Sequence, residues 1–289
     1  MSSEPLVSIG LPTYNRAEKL ERAMEFVLAQ DYRNIEVVIS DNASTDNTAA
    51  VCERLCRSDN RIRYIRQKTN IGPTANYMAV LEASSGDMYM ALADDDWIAP
   101  NYVSACLTAL LDNSELVLVC GQSIMYRNGE FSHDAPVTTL FDDSAADRVV
   151  RYYRTVVENG AFHGIIRRDV LLRLPRMKRV MAGDWLWMAA IAFQGKLATS
   201  QSTKIMKHLG GSTASWEAIV ATLSLPLWQA KYWMEAIFTS VGRDIWRSPV
   251  YAPLGYSGRL LLLSRVALVL GRRWRIWNRW RTYVGKTDA

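Results

Sequence analysis

The sequence predicts an α/β fold built on a mostly parallel sheet, and two observations predict it. Short apolar runs alternate with stretches of helical periodicity through the first hundred residues, the pattern of successive βαβ units. Each of the first four apolar runs is followed by polar, turn-forming or acidic residues. These are Pro12-Thr13-Tyr14-Asn15, the segment from Asp41 to Asp46, Asn70-Ile71-Gly72-Pro73, and Asp94-Asp95-Asp96. Ligands of such sheets bind beyond the carboxyl ends of the strands, so these four segments form a candidate binding edge.

The elements follow in order. Residues 7–11 read as a strand. Leu20, Ala23, Met24, Val27 and Leu28 then recur at helical spacing, with Asn15 and Glu18 as a variant capping box at the helix start. Strands are predicted over 35–40, 62–65 and 88–93, and helices over 48–56, 74–83 and 101–111. Strands are expected within 117–126 and 163–166, a loop over 128–139, and a helix over 142–157. A tryptophan-rich helix starts near Gly183. A soft boundary falls near Ser212, and from Trp216 onward the chain reads as helices rich in Trp, Leu and Arg.

Composition sets the limits. The 289 residues suit a large domain or a core domain with an appendage. Apolar residues are 49% and charged residues 22%, so a packed core is expected. A net charge of +5 suits nucleic acid, anionic lipid or phosphorylated ligands alike. Cys52, Cys56, Cys106 and Cys120 form no CxxC pair and no zinc spacing with the three histidines. They read as reduced thiols of a cytoplasmic protein. The first residues lack a basic and then apolar start, so no signal peptide is expected. No window is read as a spanning helix of about 20 apolar residues; residues 260–270 come nearest and are broken by Ser264 and Arg265.

Three consecutive aspartates at a strand end repel one another unless a cation is present. Carboxylate oxygens suit Mg²⁺ or Mn²⁺, ions that also take diphosphate oxygens. The competing reading is a helix cap before Trp97 and Pro100. Asp41 stands at the end of the second strand, where a carboxylate can accept hydrogen bonds from a base or ribose. Asp46 also reads as a helix cap.

The succession VSIGLPTYNR, VVISDNASTD, NIGPTAN and ALADDDW resembles the nucleotide-binding half of the family-2 glycosyltransferases. The likeness is specific over 5–111 and looser to 215. It implies the GT-A fold, with a Rossmann-like sheet flanked by helices and here a helical C-terminal extension. The implied division is a GT-A domain over 1–215, with a nucleotide-binding half (5–111) and an acceptor-binding half (112–215), and a Trp/Arg-rich region over 216–289. The resemblance implies inverting transfer from a nucleotide-sugar donor, a UDP-sugar first, to a glycan or lipid-linked acceptor, with Mn²⁺ or Mg²⁺. Pro12, Thr13, Tyr14, Asn15 and Asp41 become donor contacts, joined by Asn70, Gly72, Asn76, Asp94 and Asp95. Asn76 departs slightly from the family spacing. Asp96 and His208 become the metal residues, and Gly210 and Ser212 a loop over the diphosphate. Gly183-Asp184-Trp185 fits the place of the family's base, which makes Asp184 the general base; a helix cap is a compatible second role. His163 and Trp185 fall on the acceptor side.

In the tail, Trp274, Trp277 and Trp280 alternate with Arg272, Arg273, Arg275, Arg279 and Arg281. This mixture suits a peripheral attachment to anionic membrane, on the inner face of the cell membrane. Packing against the rest of the protein is the other reading. No nucleic-acid motif supports a nucleic-acid partner. A nicotinamide-dependent oxidoreductase is disfavoured because the first βα turn lacks GxGxxG. A non-catalytic glycosyltransferase-like binding module is the remaining alternative.

Overall fold

The computed structural model describes residues 4–210 and 215–284, with side chains described as far as Arg275. Four strands open the fold: β1 (Val7–Thr13), β2 (Ile35–Asp41), β3 (Ile62–Arg66) and β4 (Met88–Ala91). Helices α1 (Ala17–Leu28), α2 (Thr48–Ser58) and α3 (Pro73–Ala83) connect them. The strands pair in parallel in the order β3-β2-β1-β4. Every residue of β1 and β2 is buried, as strands covered by helices on both faces must be. β1 runs past its expected end through Pro12 to Thr13. Its pairing with β4 stops at Gly10, so the proline lies where one neighbour is already lost. The expected Asn15–Glu18 capping box does not form, for Arg16 is the N-cap of α1 and makes no side-chain cap. Asn15 has φ 52° and turns its amide oxygen to the backbone N–H of Thr45 instead.

The second half is mixed. It contains β5 (Trp97–Ile98), α4 (Tyr102–Asp112), β6 (Leu116–Arg127), β7 (Glu130–Asp134) and α5 (Ala145–Thr155). Then come β8 (Ile165–Arg167), α6 (Arg168–Leu172), α7 (Gly183–Gln194) and β9 (Lys196–His208). The sheet continues from β4 in the order β8-β6-β9-β5, with β7 on β6. β8 is antiparallel to β4 and β6, β9 is parallel to β6, and β5 is antiparallel to β9. The sheet is therefore parallel on its N-terminal side and mixed beyond β4. The expected loop over 128–139 holds β7, joined to β6 through Asn128 and Gly129, both at positive φ. Asn-Gly is a strong hairpin signal. His163 ends a 3-10 turn over Gly160–His163, and its strand begins only at Ile165.

Two apolar clusters cover the sheet. One joins β1 and β2 to α1, α2 and α4. The other joins α3, α5 and α7 to the tail helices. The tail comprises α8 (Trp216–Thr222), α9 (Trp228–Lys231), α10 (Trp233–Arg247) and α11 (Gly255–Val284). Leu262, Val266, Val269 and Leu270 of α11 are buried in the second cluster. Each such side chain contributes about 1.5–3 kcal/mol when fully buried, so α11 is held against the rest of the fold. By length and composition alone, the helical span Pro249–Arg275, 27 residues containing an 18-residue window of mean hydropathy 1.3, is long and apolar enough to cross a membrane, where no such window was expected.

Candidate active site at the carboxyl edge of the sheet

The segment after β1 folds over the segment after β4. Thr13 Oγ1 donates to Asp94 Oδ2 at 2.7 Å. Arg16 reaches Asp94 at 2.8 Å and Asp95 at 2.9 Å, and Lys19 lies 3.6 Å from Asp95. Two of the three aspartates thus meet the protein's own cations, and the mutual repulsion expected of the triplet falls on Asp96. Burial pushes the Asp94 carboxyl up, against the pull of Arg16 and the Thr13 hydroxyl. Tyr14, next to Thr13, is exposed and Pro12 is buried.

The donor residues expected on β2 and beyond are held by their own turns. Asp41 is fully buried and accepts from Ser44 N at 2.8 Å and from Tyr64 Oη at 2.9 Å. Asn70 Oδ1 accepts from Asn42 Nδ2 and from Gly72 N, both at 2.9 Å. Gly72 has φ 82°, a conformation that side chains rarely adopt. Asn76 is buried between β1 and β2. It donates to Ser40 O at 2.9 Å and Thr13 O at 3.4 Å, and accepts from Ser40 Oγ at 2.6 Å. All three bonds go to protein, where a donor contact was expected. Asp46 caps two helices, accepting from Ala17 N on α1 and Thr48 N on α2.

Asp96 lies elsewhere. Its Oδ1 accepts from His208 N at 3.1 Å, and its Oδ2 stands 3.6 Å from His163 Nε2. His163 Nδ1 lies 2.8 Å from Ala91 O. A carbonyl only accepts, so Nδ1 carries the proton and Nε2 presents a lone pair to the carboxylate. Burial and Lys207 push the imidazole down to about 3. Burial pushes Asp96 up to about 7. Two acceptors facing at this distance need a proton or a cation between them. His163 therefore faces Asp96, where an acceptor-cleft role was expected. His208, named as a metal residue, reaches Asp96 through its backbone. Among the described residues, no three of His, Cys, Asp and Glu form a metal-sized group. Gly210 follows β9 at φ 129°; Ser212 lies outside the described residues.

Asp184 opens α7 behind Ala182, at φ 57°. Burial raises its carboxyl, and the Asn159 amide and the Trp185 backbone N–H counter that. Asn159 Nδ2 donates to Asp184 Oδ2 at 2.7 Å. Trp185 lies under Arg273 of α11, whose guanidinium is 5.6 Å from the ring centroid. Arg273 also donates to Tyr153 O and Val156 O at the end of α5. The tail thus touches α5 and α7 directly.

Arg16, Asn159 and Lys207 were not anticipated. Lys207 lies one residue before His208, and its charge acts on Asp96, His163 and Asp184 together. Arg16 had a visible signal, a cation directly after the first polar turn. Asn159 and Lys207 had none, because their partners are brought in by the fold.

A family model described as "Glycosyl transferase family 2" matches residues 8–173. The chain belongs to glycosyl transferase family 2. A Campylobacter jejuni GalNAc(5)-diNAcBac-PP-undecaprenol beta-1,3-glucosyltransferase is 28% identical over 170 residues, 58% of this chain and 53% of that protein. The abequosyltransferase RfbV of Salmonella typhimurium is 36% identical over 118 residues, 40% of this chain and 35% of that protein. The matched region is thus about half or less of these curated relatives. S. aureus TarS 1–349 in complex with UDP superposes with a TM-score of 0.62 at 16% identity, covering 90% of this chain and 70% of that one. The mannosyltransferase PcManGT from Pyrobaculum calidifontis, in complex with GDP-Man and Mn²⁺, gives 0.54 at 17%, covering 94% and 75%. These likenesses show the fold, which is GT-A, with its helical C-terminal extension.

Proposed function

We propose that this family-2 member is an inverting glycosyltransferase. It moves a sugar from a nucleoside-diphosphate-sugar, a UDP-sugar first, to a hydroxyl of a glycan or a lipid-linked acceptor. The observation that carries this reading is the buried Asp96 facing the His163 lone pair at the carboxyl edge. That pair calls for a proton or a cation, and the neighbouring His208 backbone N–H is already on Asp96. Mg²⁺-type sites use one or two carboxylates and complete their shell with phosphates and water, so a thin protein donor set fits. Asp96 and His208 would hold Mn²⁺ or Mg²⁺, which when bound supplies positive charge to the diphosphate.

In the proposed step the acceptor oxygen bonds to the anomeric carbon while that carbon's bond to the diphosphate oxygen breaks. The bonding pair leaves on the diphosphate. Asp184 takes the acceptor proton. Residues 5–111 hold the nucleotide, 112–215 hold the acceptor, and 216–289 form the Trp/Arg-rich C-terminal region. UDP is supported by the TarS complex, and the GDP-Man complex of PcManGT is the reason for testing other bases.

We also infer peripheral attachment to the inner face of the cell membrane through α11. Tyr256, Leu260, Leu261 and Leu268 are 60–82% exposed on the face opposite its buried residues. Arg272 and Arg275 are exposed at its far end, with Arg243 and Arg247 on α10. Apolar and aromatic side chains beside basic ones suit an anionic bilayer surface. Trp277, Trp280, Arg279 and Arg281 lie outside the described side chains.

The test is thermal stabilisation by UDP, GDP and dTDP, each with and without Mn²⁺. One nucleotide should raise the melting temperature more with metal than without, and Asp96→Ala should remove the metal-dependent part. A flat response to every nucleotide, with no donor turnover, would favour a non-catalytic binding module.

A further inference from the structure

The turn after α5 is held unusually tightly. Asn159 sits at φ 49°, a region few side-chain-bearing residues adopt. A Cβ on the next residue, Gly160, would lie 2.1 Å from Ser123 Oγ and 3.0 Å from Ser123 Cβ of β6, so a side chain there would force Ser123 or the turn to shift. The turn aims a buried amide at Asp184. Asn159 Nδ2 lies 2.7 Å from Asp184 Oδ2, and Asn159 Oδ1 lies 2.9 Å from Tyr152 Oη. A carboxylate only accepts, so the NH₂ must face Asp184, and the amide oxygen then takes the Tyr152 proton. The three groups have one consistent hydrogen-bond arrangement.

We propose that Asn159, oriented by Tyr152, is a positioning residue for the base: it pins one oxygen of Asp184 and fixes the direction of the carboxylate. This rests on Asp184 acting as the base. The groups that face Asp184 suit that task. Tyr152 and Tyr153 on α5 are buried and neutral, Lys207 on β9 is the cation acting on Asp184, and Arg273 on α11 acts on Tyr152. A second cation on the carboxylate would hold it firmly but make it a poor proton acceptor. An amide gives the geometry of a hydrogen bond without adding a charge.

The experiment is a pH titration of the Asp184 carboxyl by infrared difference spectroscopy on the full chain, with its band assigned by loss in Asp184→Asn. Asn159→Gly removes the amide and tolerates the left-handed backbone. It should raise the titration midpoint by about one pH unit, and Tyr152→Phe should raise it by less. Asn159→Asp should split the titration into two coupled steps. A folded Asn159→Gly protein, checked by circular dichroism, with the wild-type midpoint would overturn the proposal. If that variant does not fold, an unchanged midpoint in Tyr152→Phe overturns it instead. The base reading fails separately, if Asp184→Asn keeps full sugar transfer while the Asn159 shift is still seen.

Discussion

The β1–β4 edge and the β6–β9 edge of one sheet treat their carboxylates in opposite ways. On the first, Asp94 and Asp95 meet Arg16, Asp95 also meets Lys19, and Asp41 is tied to Ser44 and Tyr64. On the second, Asp96 faces a neutral imidazole and Asp184 a neutral amide. Burial lifts both. Carboxylates ion-paired to the protein's own cations make a stable frame, whereas buried ones held by neutral groups, with Lys207 as the cation acting on them, are the groups able to take a cation or a proton.

The largest expected effect breaks this contrast at Asp184. Asp184→Asn should lower sugar transfer by about 10²–10⁴-fold, the range of a general base, while leaving nucleotide-dependent thermal stabilisation intact. A matching loss of nucleotide binding would make Asp184 part of the frame.

The next effect compares Asp96 with His163 in chelator-treated protein. Asp96 titrates near 7 folded against an ordinary value of 3.8. The folded protein then binds the extra proton, and the Asp96 contribution to stability falls as pH rises from about 4 to 7. His163 titrates near 3 folded against 6.5. The unfolded chain binds that proton, and the His163 contribution rises between about pH 3 and 6.5. In the wild type the two oppose each other. Relative to the wild type, Asp96→Asn should tilt stability upward with pH and His163→Gln should tilt it downward, each by on the order of 2–4 kcal/mol. Urea unfolding from pH 4 to 7 reads both slopes. A change of the same sign in both variants would refute the opposite shifts of Asp96 and His163.

A smaller effect tests the frame itself. Arg16→Ala leaves Asp94 buried without its cation and should cost about 2 kcal/mol in urea unfolding at pH 7. Asp94→Asn in the same chain should recover part of that loss. No loss in Arg16→Ala would mean that the Thr13 hydroxyl alone satisfies Asp94.

The two edges also differ in how much of them the sequence discloses. β1 to β4 are apolar runs with a polar turn after each, and part of their hydrogen bonding closes within those turns, although Thr13 to Asp94 spans 81 residues and Asn42 to Asn70 28. Asn70 to Gly72 spans two residues and Asp41 to Ser44 three. Local pattern finds such elements, and the ends err by a residue or two. The other edge is assembled across distance: Asp96 to His208 spans 112 residues and Ala91 to His163 72. β9 carries serine, threonine and lysine along much of its length, so its period is too faint to read as a strand. Without β9, Lys207 cannot be anticipated; Asp96 and His208 are brought together only by the family resemblance, and nothing signals that their contact runs through the His208 backbone. The resemblance singles out Asp184 as a candidate, whereas its hydrogen-bond partner Asn159 carries no such signal.

The smallest stability effect belongs to the outward face of α11. Leu260, Leu261 and Leu268 are 60–61% exposed, so replacing all three by serine should change folding stability by less than about 0.5 kcal/mol per site. If the helix docks on membrane, the same variant should lose co-sedimentation with vesicles of phosphatidylglycerol, because it loses apolar area while keeping its arginines. Neutral vesicles should bind the wild type less, since the basic end of α11 would no longer attract them. Retained binding in the serine variant, at unchanged stability, would shift the attachment to the arginines alone. The exposed leucines would then be an ordinary surface, and the tail's role would reduce to the contact of Arg273 with Trp185 and the end of α5.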